Sequence, residues 1–506
     1  MGTRDILTLS CGNYSNYLFS HFINNEEVQY IYENDISHNK EIDFSTIFNV
    51  SSNKSSCYHP RALICDYKDN FRLLPINIDY KSKYSQEADN CYYNEFQKAY
   101  YNLEQNNIIS SNSNTQILTK LAQKTYSSLD NSINYWSDFL HTKLCSKSII
   151  PTTNFRNEKS EFLDKIDEGL HHFMETSDYL QGFNFLLDSS SSHLSLQIHM
   201  LHYLKDEYPN KSIFVYMSFP DYLYDDQLDL DLKNGVKQTF YRELINSASL
   251  LNHLYNDNDS IECLFPLSLI ENPFDLNKSN HKSWLPTALI DFSKAKSLYE
   301  RSALISTAFA STTLPYRNFA NAYYRMHHLS NFLSNQNSFR RIKMQKISCK
   351  YFFSDHDTQD NVFTLTPYSN YDVNKINESP INAFNVTRGF QSAVRKLEDI
   401  RQPTIKKEDA FEKIVNWENL NMVNGLQLSP AFPWIFNQPS LKSDDPFRSL
   451  NTYHSMESDP QLQINFFNQL LKQIECHYRS SSGAFTGLEE KDEKNEIIEF
   501  LNDYAA

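Results

Sequence analysis

Residues 178–220 read DYLQGFNFLLDSSSSHLSLQIHMLHYLKDEYPNKSIFVYMSFP. The run over 179–187 is almost continuously apolar, as a strand covered on both faces must be. A polar serine turn follows, and Ser190, Ser191 and Ser192 are placed to cap what comes next. LSLQIHMLHYLKDE over 194–207 has helical spacing, and Pro209-Asn210 ends it. IFVYMSF over 213–219 is a second buried strand. Strand, turn, helix and strand in that order form a β–α–β unit, and such a unit predicts a parallel sheet with helices on its faces.

The N-terminal side repeats the pattern. Residues 4–10 alternate and are β-rich, residues 14–24 carry Tyr14, Leu18, Phe19 and Phe22 at helical spacing, and RALICDY over 61–67 is an apolar run ending in Asp66. Residues 104–116 are a polar, low-complexity insertion. A helix is expected over about 158–176, with Phe162, Ile166, Leu170 and Phe173 on one face. Further along, 286–314 and 319–335 read as helical, 347–365 as strand-rich and 366–382 as an exposed loop. Asp459-Pro460 opens a helix to about Tyr478 that presents Leu462, Phe466, Leu470 and Ile474, and the acidic end over 489–506 suits a short helix. The expected division is an α/β domain over 1–270, a core helix with a smaller α/β domain over 271–400, and a helical region over 401–506.

Composition narrows the functions. The 506 residues include nine glycines, with no G-x-G pair and no GxxxxGK[ST], against an average usage of about 7%. A glycine-rich phosphate cradle is therefore excluded, although the abundance of Asn, Tyr, Phe, Ile and Lys offers AT-rich codon usage as a second reason for the deficit. The net charge of −15 argues against bulk nucleic-acid or anionic-membrane binding. Eight scattered cysteines without a C-x-x-C pair read as free thiols in a reducing compartment. No run of 18 apolar residues marks a transmembrane helix. The start, Met1-Gly2-Thr3-Arg4-Asp5-Ile6, resembles neither a signal peptide nor a transit helix. Action from the cytosolic side of any organelle is the expectation.

Three segments, in order, resemble the tubulin superfamily: RDILTLSCGNYSN (4–16), YHPRALICDY (58–67) and the 178–220 stretch, where Leu-Gln-Gly-Phe, Glu-Tyr-Pro and the closing Phe-Pro fall in register with tubulin's. WSDFLHTKL (136–144) followed by SDYLQGF (177–183) resembles more specifically the misato family of tubulin-related proteins. That likeness covers roughly residues 1–320. It implies a tubulin-like fold with a Rossmann-like N-terminal domain. It also implies a role in the inheritance of mitochondria and mitochondrial DNA and in mitochondrial distribution and morphology, with protein partners at the mitochondrial surface or cytoskeleton.

The same alignment shows what has changed. Tubulin's phosphate-wrapping GGGTGSG corresponds to Ser190, Ser191, Ser192, His193, Leu194, Ser195 and Leu196, with every glycine gone. The first loop keeps Gly12 but continues Asn13-Tyr14-Ser15. Asp66 survives. Two positions on, where tubulin has an acidic residue near its metal, stands Lys68, a cation that would repel Mg²⁺. Tubulin's guanine-reading CIDNEAL corresponds to CLFPLSL (263–269), with Pro266 at the asparagine; a proline ring cannot make the paired hydrogen bonds a guanine edge needs. The catalytic acidic residue corresponds most nearly to Tyr323. Phosphoryl transfer needs phosphate positioning and a metal, so the expectation is a vestigial pocket, no GTP cofactor, no metal and no enzymatic activity. Two alternatives stand beside it: an active GTP-binding, self-assembling cytoskeletal protein, and an adaptor that binds tubulin or a chaperonin.

Other constellations read as bland. Asp355-His356-Asp357, His171-His172, His327-His328 and Cys476-His477 suit surface or helix faces better than a metal. No G-x-S-x-G elbow occurs. Without interleaved cations, the aromatic richness reads as core rather than base stacking. Arg340-Arg341 with Lys343, Lys346 and Lys350 is the compact basic cluster, a candidate contact for a membrane or an acidic partner.

Overall fold

The structure is a computed structural model that describes residues 4–37, 39–50, 58–71, 133–152, 159–189, 193–219, 243–255, 261–270, 273, 297–319, 324–334, 344–352, 363–368, 381–389, 414–433, 435–436, 448–458 and 460–480. Strand β1 (Asp5–Cys11) turns at Gly12 into helix α1 (Asn13–Tyr32). The short strands β2 (Phe48–Val50) and β3 (Tyr58–Pro60) pair with each other before β4 (Ala62–Tyr67). Then come β5 (Ile149–Thr152), α2 (Lys159–Glu175), β6 (Leu180–Asp188), α3 (Leu194–Glu207), β7 (Ser212–Ser218), helical residues 243–255 and β8 (Ile261–Leu267). Strands β1 and β4 to β8 form one parallel sheet in the order β5-β4-β1-β6-β7-β8. Strand β6, read from the sequence as covered on both faces, and β1 are its middle pair. Gly182 shows how closely β6 and β7 are packed: a Cβ there would stand 2.2 Å from the Ser212 carbonyl oxygen on β7.

Strand alternation splits the core into two layers. Ile6, Phe214 and Tyr216 face one, Leu7, Leu9, Ile213, Val215 and Met217 the other. The second layer is closed by Phe162, Ile166, Leu170 and Phe173 of α2, by α3, and by Leu462, Phe466, Leu470 and Ile474 of the C-terminal helix. The first layer is closed by α1 and by α4 (Leu298–Thr313), every residue of which except Leu298 and Glu300 is buried. Helix α5 (Met326–Leu333) follows. It is much shorter than the helical stretch expected over 319–335, because the chain leaves α4 through a Leu314–Tyr316 turn and forms a bridge at Asn318 with Ile42.

The second sheet contains β9 (Lys346–Phe352), β10 (Phe363–Thr364), β11 (Ile381–Arg388), β12 (Ile414–Met422) and β14 (Arg448–Ser458), in the order β10-β9-β14-β11-β12, with β13 (Leu426–Leu428) paired to β14. Helix α6 (Pro460–Ser480) ends the described chain. The expected division at residue 400 and the helical reading of 401–506 therefore need correcting. The sheet takes strands from both sides of that point, and the described residues between it and Ser458 include the strands β12, β13 and β14 and no helix. Polar residues hid these strands. Strand β12 lies at the edge with Trp417 exposed, while in β14 the buried alternate positions include Thr452 and His454. The basic cluster also changes character. Lys346 is paired with Glu457 at 3.1 Å and Lys350 is buried over the Phe352 ring; Arg340, Arg341 and Lys343 lie outside the described residues. Asp355-His356-Asp357, the Cys476 and His477 side chains and the 489–506 segment lie outside them too.

Helix α1 is the hub between the layers, with 17 buried residues among its 20. Its polar side chains are buried against distant segments. Asn24 accepts from His141 N–H at 3.1 Å and donates to the Phe139 carbonyl at 3.0 Å. Asn25 accepts from Ser429 N–H at 2.8 Å, and Gln29 accepts from Arg388 and from Gln427 N–H, both at 3.0 Å. Glu26 meets Arg317 through two bonds of 2.9 Å. Such groups tolerate burial only when partnered.

Two histidines in these layers set a pH limit. Burial pushes His21 down to about 3; its Nε2 donates to the Tyr299 carbonyl at 2.8 Å. Burial, aided by Arg388, holds His454 on β14 at about 3 as well. Unfolded, both would titrate near the ordinary histidine value of about 6.5. Their neutral burial is therefore fully stabilising above about pH 6.5 and is lost progressively as pH falls towards 3, where the unfolded chain binds the extra protons. The expected slope from the pair is up to ~2.7 kcal/mol per pH unit in that window. Urea midpoints measured across it for wild type and His454→Leu check this: the variant should lose about half of the slope, and an unchanged slope refutes it.

Candidate functional site

The C-terminal ends of β1, β4 and β6 converge, which is where parallel α/β sheets hold ligands. Gly12 makes the first turn with φ +107°, a conformation a side chain would strain. The N-terminus of α1 then points its first N–H groups at the place a phosphate occupies in nucleotide-binding proteins of this topology. Here the chain supplies its own anion. Asp188, at the end of β6 and 4% exposed, accepts the Tyr14 N–H at 3.0 Å through Oδ2.

Asp66, at the end of β4, is fully buried and equally occupied. Its Oδ2 accepts from Asn16 Nδ2 at 2.9 Å and from the Trp136 indole Nε1 at 2.8 Å. Its Oδ1 accepts from Tyr67 N–H and from Asn70 Nδ2, both at 2.8 Å. Asn16 in turn accepts from Ser10 Oγ at 2.6 Å and donates to the Cys65 carbonyl at 3.1 Å. Trp136 has no exposed surface, and its ring stands edge-on to Phe71. Thr152 Oγ1 donates to the Asp66 carbonyl at 3.1 Å and lies 3.4 Å from His193 Nε2. The His193 ring packs on Tyr67 at 4.3 Å, and burial lowers its pKa while Asp66 opposes that shift. Gln197 ties the strand ends together by donating to the Cys11 and Asp188 carbonyls at 3.0 and 3.1 Å. Beneath them burial, with Cys65 adding to it, pushes the Cys11 thiol up.

The residues singled out from sequence divide accordingly. Gly12, Asp66 and His193 are drawn into one network, and Asn13 opens α1 half-buried beside it. Lys68 begins an exposed turn over Lys68–Asn70. Pro266 is buried within the edge strand β8 opposite Met217, two strands from β6. Ser190, Ser191, Ser192 and Tyr323 lie outside the described residues. Sequence reading missed Asp188 and Asn16, which have no motif of their own. It had quoted Trp136 only as part of a family signature.

A parallel sheet in this order, a glycine turn into α1 and strand-end loops gathered over it define a tubulin-like α/β protein. A family model described as the Misato Segment II tubulin-like domain matches residues 4–124. The mouse protein named Protein misato homolog 1 is 23% identical over 378 residues, covering 66% of this chain and 62% of its own. Its human counterpart is 22% identical over 383 residues, covering 66% and 63%. Drosophila melanogaster Protein misato is 22% identical over 356 residues, covering 62% and 60%. The chain is thus similar to the misato family of tubulin-like proteins, and it spans somewhat under two thirds of the length of these relatives. Among the described residues, no helix is long and apolar enough to cross a membrane.

Proposed function

We propose that this chain is a non-enzymatic tubulin-like factor for the partitioning of mitochondria and their DNA and for mitochondrial distribution and morphology. It acts through protein partners on the cytosolic face of the organelle. The mitochondrial part follows from the misato resemblance. The non-enzymatic part is carried by one observation: the Asp188 carboxylate sits on the α1 N-terminus. A second anion brought there meets like charge at close range in a buried setting, where Coulomb repulsion is weakly screened. The four N–H donors already on Asp66 support the same reading, since a metal would have to displace them.

Calorimetric titration of the full chain with GTP and Mg²⁺ tests the pocket. The expected result is no binding at micromolar nucleotide and no turnover; micromolar affinity with turnover would sink this reading and favour a self-assembling GTPase. Depletion in cells tests the role. The mitochondrial network should collapse or fragment and its DNA should segregate unevenly, whereas an unchanged network and DNA count against it.

A further inference from the structure

Away from this site, His59, Cys145 and His172 come together, with one potential ligand atom from each lying within 4.8 Å of the others. They are separated by 86 and 27 positions in the sequence, so no spacing motif announces them. His59 lies on β3, Cys145 begins the turn Ser146–Ser148 before β5, and His172 is in the last turn of α2 before β6. The cluster thus gathers at the N-terminal ends of the parallel strands, on the opposite side of the sheet from Gly12 and Asp66.

Its geometry and surroundings distinguish it from a chance meeting. Cys145 Sγ is 3.6 Å from His172 Nε2, close to the ~3.5 Å edge that one sulfur at about 2.3 Å and one nitrogen at about 2.0 Å span around a tetrahedral zinc ion. His59 Nε2 is buried and has no hydrogen-bond partner. An orphaned buried group of that kind costs ~1–3 kcal/mol unless something satisfies it. The neighbouring cations are already matched, Arg61 by Asp5 and Lys147 by Glu168. The carbonyl end of α2 adds the negative pole of a helix dipole beside His172. Burial lowers His59 to about 4 and lowers His172 as well, so both imidazoles are neutral ligands at neutral pH.

We propose that His59, Cys145 and His172 form a three-ligand site for one borderline-soft divalent metal ion, zinc being the matching case, with water in the fourth position. Thiolate and imidazole together select zinc over magnesium or calcium, which take oxygen. On binding, the Cys145 thiol gives its proton to solvent and its sulfur lone pair to the metal.

The test is titration of the chelator-treated full chain with Zn²⁺ and with Co²⁺ as a spectroscopic stand-in. One equivalent should bind at micromolar concentration or below, and Co²⁺ should give a thiolate-to-metal charge-transfer band. Cys145→Ser should abolish the band, and His59→Gln and His172→Gln should each weaken Zn²⁺ binding at least about tenfold. Because a variant can fail to fold, a second readout uses the wild type: Zn²⁺ should slow alkylation of Cys145, mapped by peptide mass spectrometry, by about tenfold or more. Binding below one equivalent, a band that survives Cys145→Ser, or a Cys145 that Zn²⁺ leaves unprotected overturns the proposal.

Discussion

Arg317→Met is expected to destabilise the chain by about 3–5 kcal/mol. Neither Arg317 nor Glu26 has exposed side-chain surface, and two bonds of 2.9 Å join them in a parallel fork. The guanidinium also donates to Thr313 Oγ1 at 3.1 Å and to the Ala310 carbonyl at 3.2 Å, and lies over the Phe22 ring. It therefore closes the C-terminal end of α4 onto the middle of α1. Removing it alone leaves a carboxylate buried without its counter-ion, and that penalty makes up most of the loss. Glu26→Met with Arg317→Met removes both charges and keeps the volume, so it should restore most of the stability. Urea unfolding of the two single and one double replacement reads this directly. A loss below about 1 kcal/mol in Arg317→Met would show that the pair is not carrying a buried charge.

That pair also marks where sequence reading stopped. The first sheet was legible because its strands are buried on both faces, and long apolar runs such as 180–188 announce that condition without ambiguity. Helix α2 was legible because one face is wet, so Phe162, Ile166, Leu170 and Phe173 stand out against charge. Helix α1 was legible only over its first half. From Asn24 to Gln29 its sequence is Asn-Asn-Glu-Glu-Val-Gln, which reads as a solvated face. In fact these side chains are buried against residues 100 to 400 positions away. Polarity signals exposure only when the partners are local, and here the partners are set by tertiary folding. The second sheet failed for the same reason, with Thr452 and His454 at buried positions of β14. At the site, the loss of glycine drew attention to the Gly12 turn and to the serines after β6, which lie outside the described residues. It did not reveal the replacement, because the anion comes from Asp188, a residue on no phosphate-binding motif.

The site's own stability rests on Trp136, and Trp136→Ala is expected to cost about 3–5 kcal/mol. The indole is fully buried, and its Nε1 donates to Asp66 Oδ2 at 2.8 Å. It is held in place from both sides: Asp138 Oδ2 accepts from Asn134 and Tyr135 N–H at 3.0 and 2.9 Å, and Ser137 Oγ donates to the Asn70 carbonyl at 2.9 Å. Trp136→Phe separates packing from hydrogen bonding. It keeps an aromatic ring against Phe71 but leaves Oδ2 with the Asn16 amide alone, so about 1–3 kcal/mol should go. Asp66→Asn in the Trp136→Phe background should then cost less than in the wild type, because the indole bond is already gone; the difference in the cycle measures that bond. Far-UV circular dichroism in urea suits these measurements, since the fluorophore itself is altered. The two variants also decide which group keeps an anion out. With Asp188 still on the α1 N-terminus, neither should gain affinity for GTP. If Trp136→Phe or Trp136→Ala does bind it, the indole is the obstruction and Asp188 is a helix cap that a phosphate can displace.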